Sequence, residues 1–256
     1  MILALDIGNT NIVIGYLESE DNIVFVERLS TDLTKTSLEY AISFKNVLEM
    51  YHVDISKMEG VILSSVVPPI TQRICQAVKT ATGHEAMVVG PGVKNGLHIK
   101  MDNPAQLGSD RVVCAVAGIR DYPAPLIIID LGTATTVEVV DAEKSYIGGM
   151  ILPGINASLE ALVSHTSQLS KIGLDSPRRL IGKNTTECMK SGIIYGNASC
   201  LDGLIDRIQE ELGQPATVVA TGGLASVIVP HCRHSIIIDD ALLLKGLLLI
   251  YRRNRE

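Results

Sequence analysis

Residues 2–17 read ILALDIGNTNIVIGYL and residues 126–141 read LIIIDLGTATTVEVVD. In each, an apolar run reaches Asp, an apolar residue and Gly, passes through a short hydroxyl- or amide-rich segment, and resumes with β-branched residues. β-Branched residues on both sides of turn formers predict two strands joined by a tight turn, so the chain makes one device twice. The copies open halves of similar length, 1–120 and 121–256, with no low-complexity linker between them. Such a duplication is explained if two domains face one cleft and each turn presents its polar groups to the same ligand.

A hydrophobic content of 46% over 256 residues is that of a globular chain, long enough for one large domain or two ordinary ones. The net charge of −6, with 22 Lys plus Arg scattered rather than striped, argues against a nucleic-acid surface and for a small-molecule partner. Met1 leads straight into a strand-like run with no basic flank or cleavage site, so no secretory signal is expected. The apolar runs at 126–129 and 241–250 are short or interrupted against the roughly 20 residues of a membrane span. The chain therefore reads as cytoplasmic, with no membrane partner. Five cysteines without a Cys-x-x-Cys pair fit reduced thiols. His231, Cys232 and His234 are packed too tightly in sequence to converge on one metal ion.

Apolar spacing predicts helices over 38–51, 70–81, 109–119, 156–164 and 183–212, and a last one from 241 into a charged tail at 252–256. Further strands are expected over 60–67, 86–89, 145–152 and 216–220. Strands and helices thus alternate, as in an α/β fold.

The chemistry of the turns points to phosphate. Gly8 and Gly132 let the backbone approach an anion closely, and Asn9, Thr10, Asn11, Thr133, Thr135 and Thr136 add neutral donors. Asp6 and Asp130, at the strand ends, would repel phosphate unless a cation stands between, which implies a bridging metal ion. One Asp-x-Gly turn alone is equally a plain hairpin; the matching second copy is what favours a ligand. No Walker A loop occurs. In GSDR at 108–111, Asp110 and Arg111 stand where a helix begins. An Asp there is also an ordinary dipole-compensating residue, but Asn103-Pro104 and Gly108 constrain the backbone just before it, as substrate positioning requires. Arg111 offers a planar fork for a carboxylate. The helix terminus and Arg111 are expected to keep Asp110 ionised, a weak base but a good hydroxyl orienter.

The paired turns, closed by VVATGG at 218–223, resemble the phosphate and adenosine motifs of the actin-like ATPase superfamily, which includes acetate and sugar kinases and heat-shock chaperones. That resemblance implies two duplicated ribonuclease H-like α/β domains with a nucleotide cleft between them. Within it, SSVVPP at 64–69, VVGPG at 88–92, GSDR, GGMILPG at 148–154 and GKNT at 182–185 resemble the type III pantothenate kinases in order, over nearly the whole chain. The implied reaction is ATP-dependent phosphorylation of pantothenate to 4′-phosphopantothenate, the entry step of coenzyme A synthesis.

The resemblance puts the phosphates of ATP on Asp6, Ile7, Gly8, Asn9, Thr10, Asn11, Ile12 and Val13 and on Thr133, with Asp6 helping to hold Mg²⁺. Asp130 matches a position that binds a monovalent cation, K⁺ or NH₄⁺, and Gly222 and Gly223 match the adenosine-side glycines. Gly108, Ser109, Asp110 and Arg111 match the pantothenate-binding segment, with Asp110 as proton acceptor. Two residues depart from the pattern. Met101 stands where a tyrosine is common before Asn-Pro, which removes a hydroxyl contact to substrate, and Ser109 stands where alanine is common and is free to cap the helix. Thr185 matches a substrate contact made across a homodimer interface. Leu159, Leu162, Val163, Ile193, Ile194, Leu201 and Ile205 offer material for a two-fold interface, or else cover their own sheet. A same-fold kinase or phosphatase for another small hydroxylated acid, and an ATP-binding regulator without kinase activity, stand as alternatives; Asp110 beside Arg111 favours an enzyme over a switch.

Overall fold

Two continuous apolar runs, at 2–5 and 126–129, have the composition of strands buried on both faces. In a computed structural model that describes residues 1–255, each is the central strand of its own sheet. Glu256, the end of the charged tail, lies outside the described residues. In chain order the elements are β1 (Ile2–Ile7), β2 (Asn11–Leu17), β3 (Ile23–Ser30), α1 (Ser37–Met50), β4 (Gly60–Ser65), α2 (Pro68–Thr82), β5 (Ala86–Val88), β6 (His98–Ile99) and α3 (Ser109–Asp121). They continue with β7 (Leu126–Leu131), β8 (Ala134–Val140), β9 (Ser145–Pro153), α4 (Ile155–Ser164), α5 (Thr185–Leu212), β10 (Thr217–Thr221), α6 (Ala225–Ile228), β11 (Ile237–Ile238) and α7 (Leu242–Arg253).

The first sheet is ordered β3-β2-β1-β4-β5 and the second β11-β10-β7-β8-β9-β6. β1 pairs antiparallel with β2 and parallel with β4, and β7 repeats this with β8 and β10. The duplication seen in the turns therefore extends to whole sheets, with β6 an addition at one edge of the second. Both sheets have the ribonuclease H-like arrangement that the resemblance implies.

The chain folds into two compact units: 1–97 with 103–117 and the chain from Leu242 onward, and 98–102 with 118–241. This differs from an even division at residue 120 in two places. The C-terminal helix α7, expected with the second half, belongs to the first unit, where Leu244, Leu247, Leu248 and Ile250 cluster with Ile2, Ala4, Ile62 and Val113. The opposite face of the first sheet is covered by α1 and α2, through Tyr40, Phe44, Ile70 and Ile74. A strand apolar on both faces needs both covers. Gly246 permits the close approach, because a Cβ there would strike the Val113 carbonyl. The second difference is residues 98–102, which join the second unit through β6. His98 and Ile99 pair with Ser145 and Tyr146 of β9, and the Lys100 ammonium bonds Asp141 at 2.7 Å.

In the second unit Leu159, Ile193, Ile194, Leu201 and Ile205 lie in one core with Ile127, Ile129 and Leu131. Those five of the seven residues offered to a two-fold interface thus cover their own sheet, and Val163 packs partly against the same core. Leu162 stays 37% exposed.

Local signals explain the helix ends. Thr36 and Glu39 form a reciprocal capping box at α1, Pro68 opens α2, and Gly83 ends it with φ 78°. β3, β6 and β11, the strands without a sequence-based expectation, are all at sheet edges or short, where burial imposes the weakest pattern. Among the described residues no helix is long and apolar enough to cross a membrane.

Candidate active site

The first turn is fixed by its own backbone and by one threonine. The Gly8 N–H donates to the Asn11 carbonyl at 3.0 Å. Thr31 clamps the outside: its hydroxyl donates to the Gly8 carbonyl at 2.6 Å, and its N–H donates to the Thr10 carbonyl at 2.9 Å. Asn9, Thr10 and Asn11 are left exposed, and Asp6 is half-buried at the strand end. Ile7 and Ile12 are completely buried in the core. Their side chains pack with α1 and α2, so only their backbone is left to face a ligand.

The second turn is shorter. Leu131 pairs with Thr135, whereas Ile7 pairs with Ile12, so residues 132–134 span the second bend and 8–11 the first. The Gly132 N–H donates to the Ala134 carbonyl at 3.1 Å. Thr133 is exposed at the tip. Thr135, expected among the donors, is instead 3% exposed and lies opposite Leu131 on the core-facing side.

Beside Asp130 runs β10, with Thr221 in register, followed by Gly222 at φ 92°. A Cβ on Gly222 would crowd the Asp130 carboxylate and the Leu131 backbone, and one on Gly132 would lie 3.4 Å from Asp130 Oδ1. Glycine is required at Gly222 by both conformation and space. Asp130 thus sits in a notch between two bare α-carbons. Gly154 is pressed equally tightly against the Thr133 carbonyl and holds the turn from the other side.

Gly108, Ser109, Asp110 and Arg111 belong to the first unit, at the start of α3. Asp110 Oδ1 accepts the Arg111 N–H at 2.8 Å. A Cβ on Gly108 would come within 2.5 Å of the same oxygen, so the carboxylate lies directly over that glycine. Burial pushes the Asp110 carboxyl above the usual aspartate value, against the opposing pull of the Arg111 N–H and guanidinium. This corrects the expectation that helix terminus and arginine dominate: desolvation outweighs them, and Asp110 is a stronger base than a surface aspartate.

Ser109 does not cap α3. It is the first residue of the helix, and its hydroxyl turns to β4, 2.9 Å from Ser64 Oγ. Met101, half-buried, lies in the second unit just beyond β6, while Asn103–Ala117 belongs to the first. Thr185 is the exposed first residue of α5, whose N-cap Asn184 accepts the Glu187 N–H at 2.9 Å. It lines an apolar groove of about 530 Å³ with Leu162, Leu169 and Met189.

The histidine-cysteine cluster disperses. His231 Nε2 lies 3.1 Å from Ser176 Oγ, His234 Nε2 lies 2.8 Å from Asp206, and the Cys232 thiol faces the Ala198 and Ile228 carbonyls. Burial pushes that thiol up to about 12. All five cysteines are unbridged.

A family model described as type III pantothenate kinase matches residues 2–207. A type III pantothenate kinase of an Exiguobacterium species is 47% identical over 256 residues, covering 100% of both chains. One from Bacillus cytotoxicus is 45% identical, covering 99% of this chain and 97% of the relative. Among solved structures, component A of the Acidaminococcus fermentans (R)-2-hydroxyglutaryl-CoA dehydratase superposes with a TM-score of 0.59 at 16% identity, covering 100% and 99% of the two chains. That likeness concerns the fold.

Proposed function

The chain belongs to the type III pantothenate kinase family, and from that membership we propose how its residues divide the reaction. It phosphorylates pantothenate with ATP to give 4′-phosphopantothenate, at the entry to coenzyme A synthesis. The pantothenate hydroxyl oxygen bonds to the γ-phosphorus, the bridging oxygen leaves with ADP, and the hydroxyl proton passes to Asp110. The observation that carries this role is the Asp110 carboxylate held over Gly108 by the Arg111 N–H, in surroundings that raise its basicity. Arg111 takes the pantothenate carboxylate.

The exposed Asn9, Thr10 and Asn11, the backbone of the turn from Asp6 to Val13, and Thr133 take the phosphates, and Gly222 and Gly223 leave room on the adenosine side. Asp6 would hold Mg²⁺. Among the described residues no group of three or more His, Cys, Asp or Glu side chains is arranged to enclose a metal. When bound, Mg²⁺ neutralises charge on the phosphates. Asp130, in its notch between Gly132 and Gly222, would hold K⁺ or NH₄⁺.

We assign the working form as a homodimer, with Thr185 reaching the substrate of its partner. Leu180 and Ile181, 63% and 79% exposed, lie just before it in sequence and offer apolar surface to a second copy. A reducing compartment, the cytoplasm, suits five unbridged cysteines. The deciding experiment is ADP release by purified protein with and without pantothenate. Release that depends on pantothenate supports the assignment, and pantothenate-independent release or none removes it. For the shared site, Asp110→Asn and Thr185→Arg chains are mixed under subunit exchange: partial recovery of activity is expected, and none despite verified exchange means each site is built within one chain.

A further inference from the structure

At the carboxyl end of β4 the hydroxyls of Ser64 and Ser109 form one pair and those of Ser65 and Thr71 another, joined through the Ser65 backbone. Ser109 Oγ lies 2.9 Å from Ser64 Oγ, accepts the Ser65 N–H at 3.2 Å and donates to the Ser65 carbonyl at 3.2 Å. Thr71 Oγ1 donates to the Val67 carbonyl at 3.0 Å, so the 2.7 Å contact between Ser65 Oγ and Thr71 Oγ1 carries the Ser65 proton. Ser65 Oγ in turn accepts the Val67 N–H at 3.2 Å. With the Ser109 proton on the Ser65 carbonyl, Ser64 is the donor to Ser109. The Ser109 hydroxyl then uses one proton and both lone pairs, which leaves it a single rotamer and a single position.

That position matters because of what stands on either side. Ser64 is completely buried and in register with Asp6 on β1, and Ser65 is in register with Ile7. Asp110 is the residue after Ser109. A short path of ladder pairing, hydroxyl contact and one peptide unit therefore connects the carboxylate assigned to Mg²⁺ with the carboxylate assigned to the substrate hydroxyl.

We propose that Ser109 is a positioning residue for the kinase reaction: its hydroxyl pins the first turn of α3 to the end of β4 and thereby sets Asp110 relative to the Asp6 turn. The inference rests on the role assigned to Asp110. Alanine at Ser109, common in the motif that this segment resembles, would retain the helix start but remove all three hydrogen bonds and leave the Ser64 hydroxyl without this partner. Phosphoryl transfer depends on placement, and misplacement by about 1 Å costs up to about a hundredfold.

The test is steady-state kinetics on Ser109→Ala, Ser64→Ala, the double variant and Ser109→Thr, with Asp110→Asn beside them. Ser109→Ala is expected to lower kcat roughly tenfold with KM for ATP within about twofold of the parent. Ser64→Ala should fall by a similar factor, the double variant no further than either, and Ser109→Thr should recover most of the turnover. A parental kcat in Ser109→Ala with only a lowered Tm, while Asp110→Asn is impaired, overturns the inference alone and makes the network structural. Full multiplication of the two single losses in the double variant also overturns it. A parental kcat in Asp110→Asn removes the proton acceptor and the inference with it.

Discussion

Asp6 and Asp130 occupy the same place in two sheets of the same strand order, and the neighbouring parallel strand is what distinguishes them. Beside Asp6, β4 ends in Ser64 and Ser65 and hands on, through Ser109, to a carboxylate. Beside Asp130, β10 ends in Thr221 and hands on to Gly222, whose bare α-carbon leaves the notch in which Asp130 sits. The duplicated hairpin supplies a strand end, a glycine and an acid in both units. Specialisation lies one strand over, where one unit carries hydroxyls leading to an acid and the other carries glycines. On the roles proposed above, such a division would let a repeated scaffold place an acid beside one phosphate turn and open space beside the other without changing its topology.

The comparison breaks first at Asp110, for which the second unit offers no assigned counterpart. Asp110→Asn is expected to lower turnover by about 10²–10⁴ while ATP still binds, as kinetics and nucleotide titration would show. Because burial holds this carboxyl above the usual aspartate value, the acid limb of the rate profile should be displaced upward from that value. The sign for stability is the opposite of that for activity. A raised folded-state value means that stability is greatest where Asp110 is protonated and declines as pH rises through that value. At neutral pH its charge is a net cost, so the asparagine variant should melt at a higher temperature than the parent. A lower Tm would show that the Arg111 contacts outweigh desolvation.

The two acids should answer to different ions. Asp130→Asn is expected to remove a roughly tenfold stimulation by potassium or ammonium over sodium while leaving the Mg²⁺ dependence nearly parental, and Asp6→Asn should do the reverse. Identical ion responses in the two variants would mean that the turns are not specialised as assigned.

The glycines sharpen the same contrast on a smaller scale. Gly222→Ala forces a left-handed φ on alanine and drives a Cβ against Asp130 and Leu131, at an expected cost of about 1–3 kcal/mol in denaturant unfolding. Gly8→Ala meets only the Asn11 carbonyl, at 3.1 Å, and should cost less. Equal costs would make the notch beside Asp130 an incidental feature. The smallest effect concerns α7. Tyr251→Phe removes a 3.0 Å hydrogen bond to the Glu59 carbonyl and should lower stability by about 1 kcal/mol, read by calorimetry as a Tm lower by a few degrees.

Much of the candidate site could be located in the sequence because its signals are local. A hairpin is set by residues next to one another, so the DIGNTN and DLGTATT turns, the glycines of VVATGG and the helix start at GSDR could be located without any tertiary contact. The strand periodicity around them marked the central strands for the same reason. Ile7, Ile12 and Thr135 show where locality ends. They belong to turns that read as binding turns, yet strand alternation sends their side chains into the core. That alternation was present in the sequence and predicts it, had it been carried through the bend.

By itself the sequence determined the duplication, the two acidic turns, the α/β alternation and the family motifs, all of which depend on short-range spacing. Only the tertiary structure decided that α7 covers the first sheet, that residues 98–102 extend the second, that the apolar face of α5 is largely spent on its own core, and that Ser109 bonds to β4 instead of capping α3. The displaced proton affinity of Asp110 is of the same kind. An apolar stripe specifies that a face is buried but not which surface buries it, and desolvation sums over neighbours drawn from distant parts of the chain. Those quantities exist only once the elements have met.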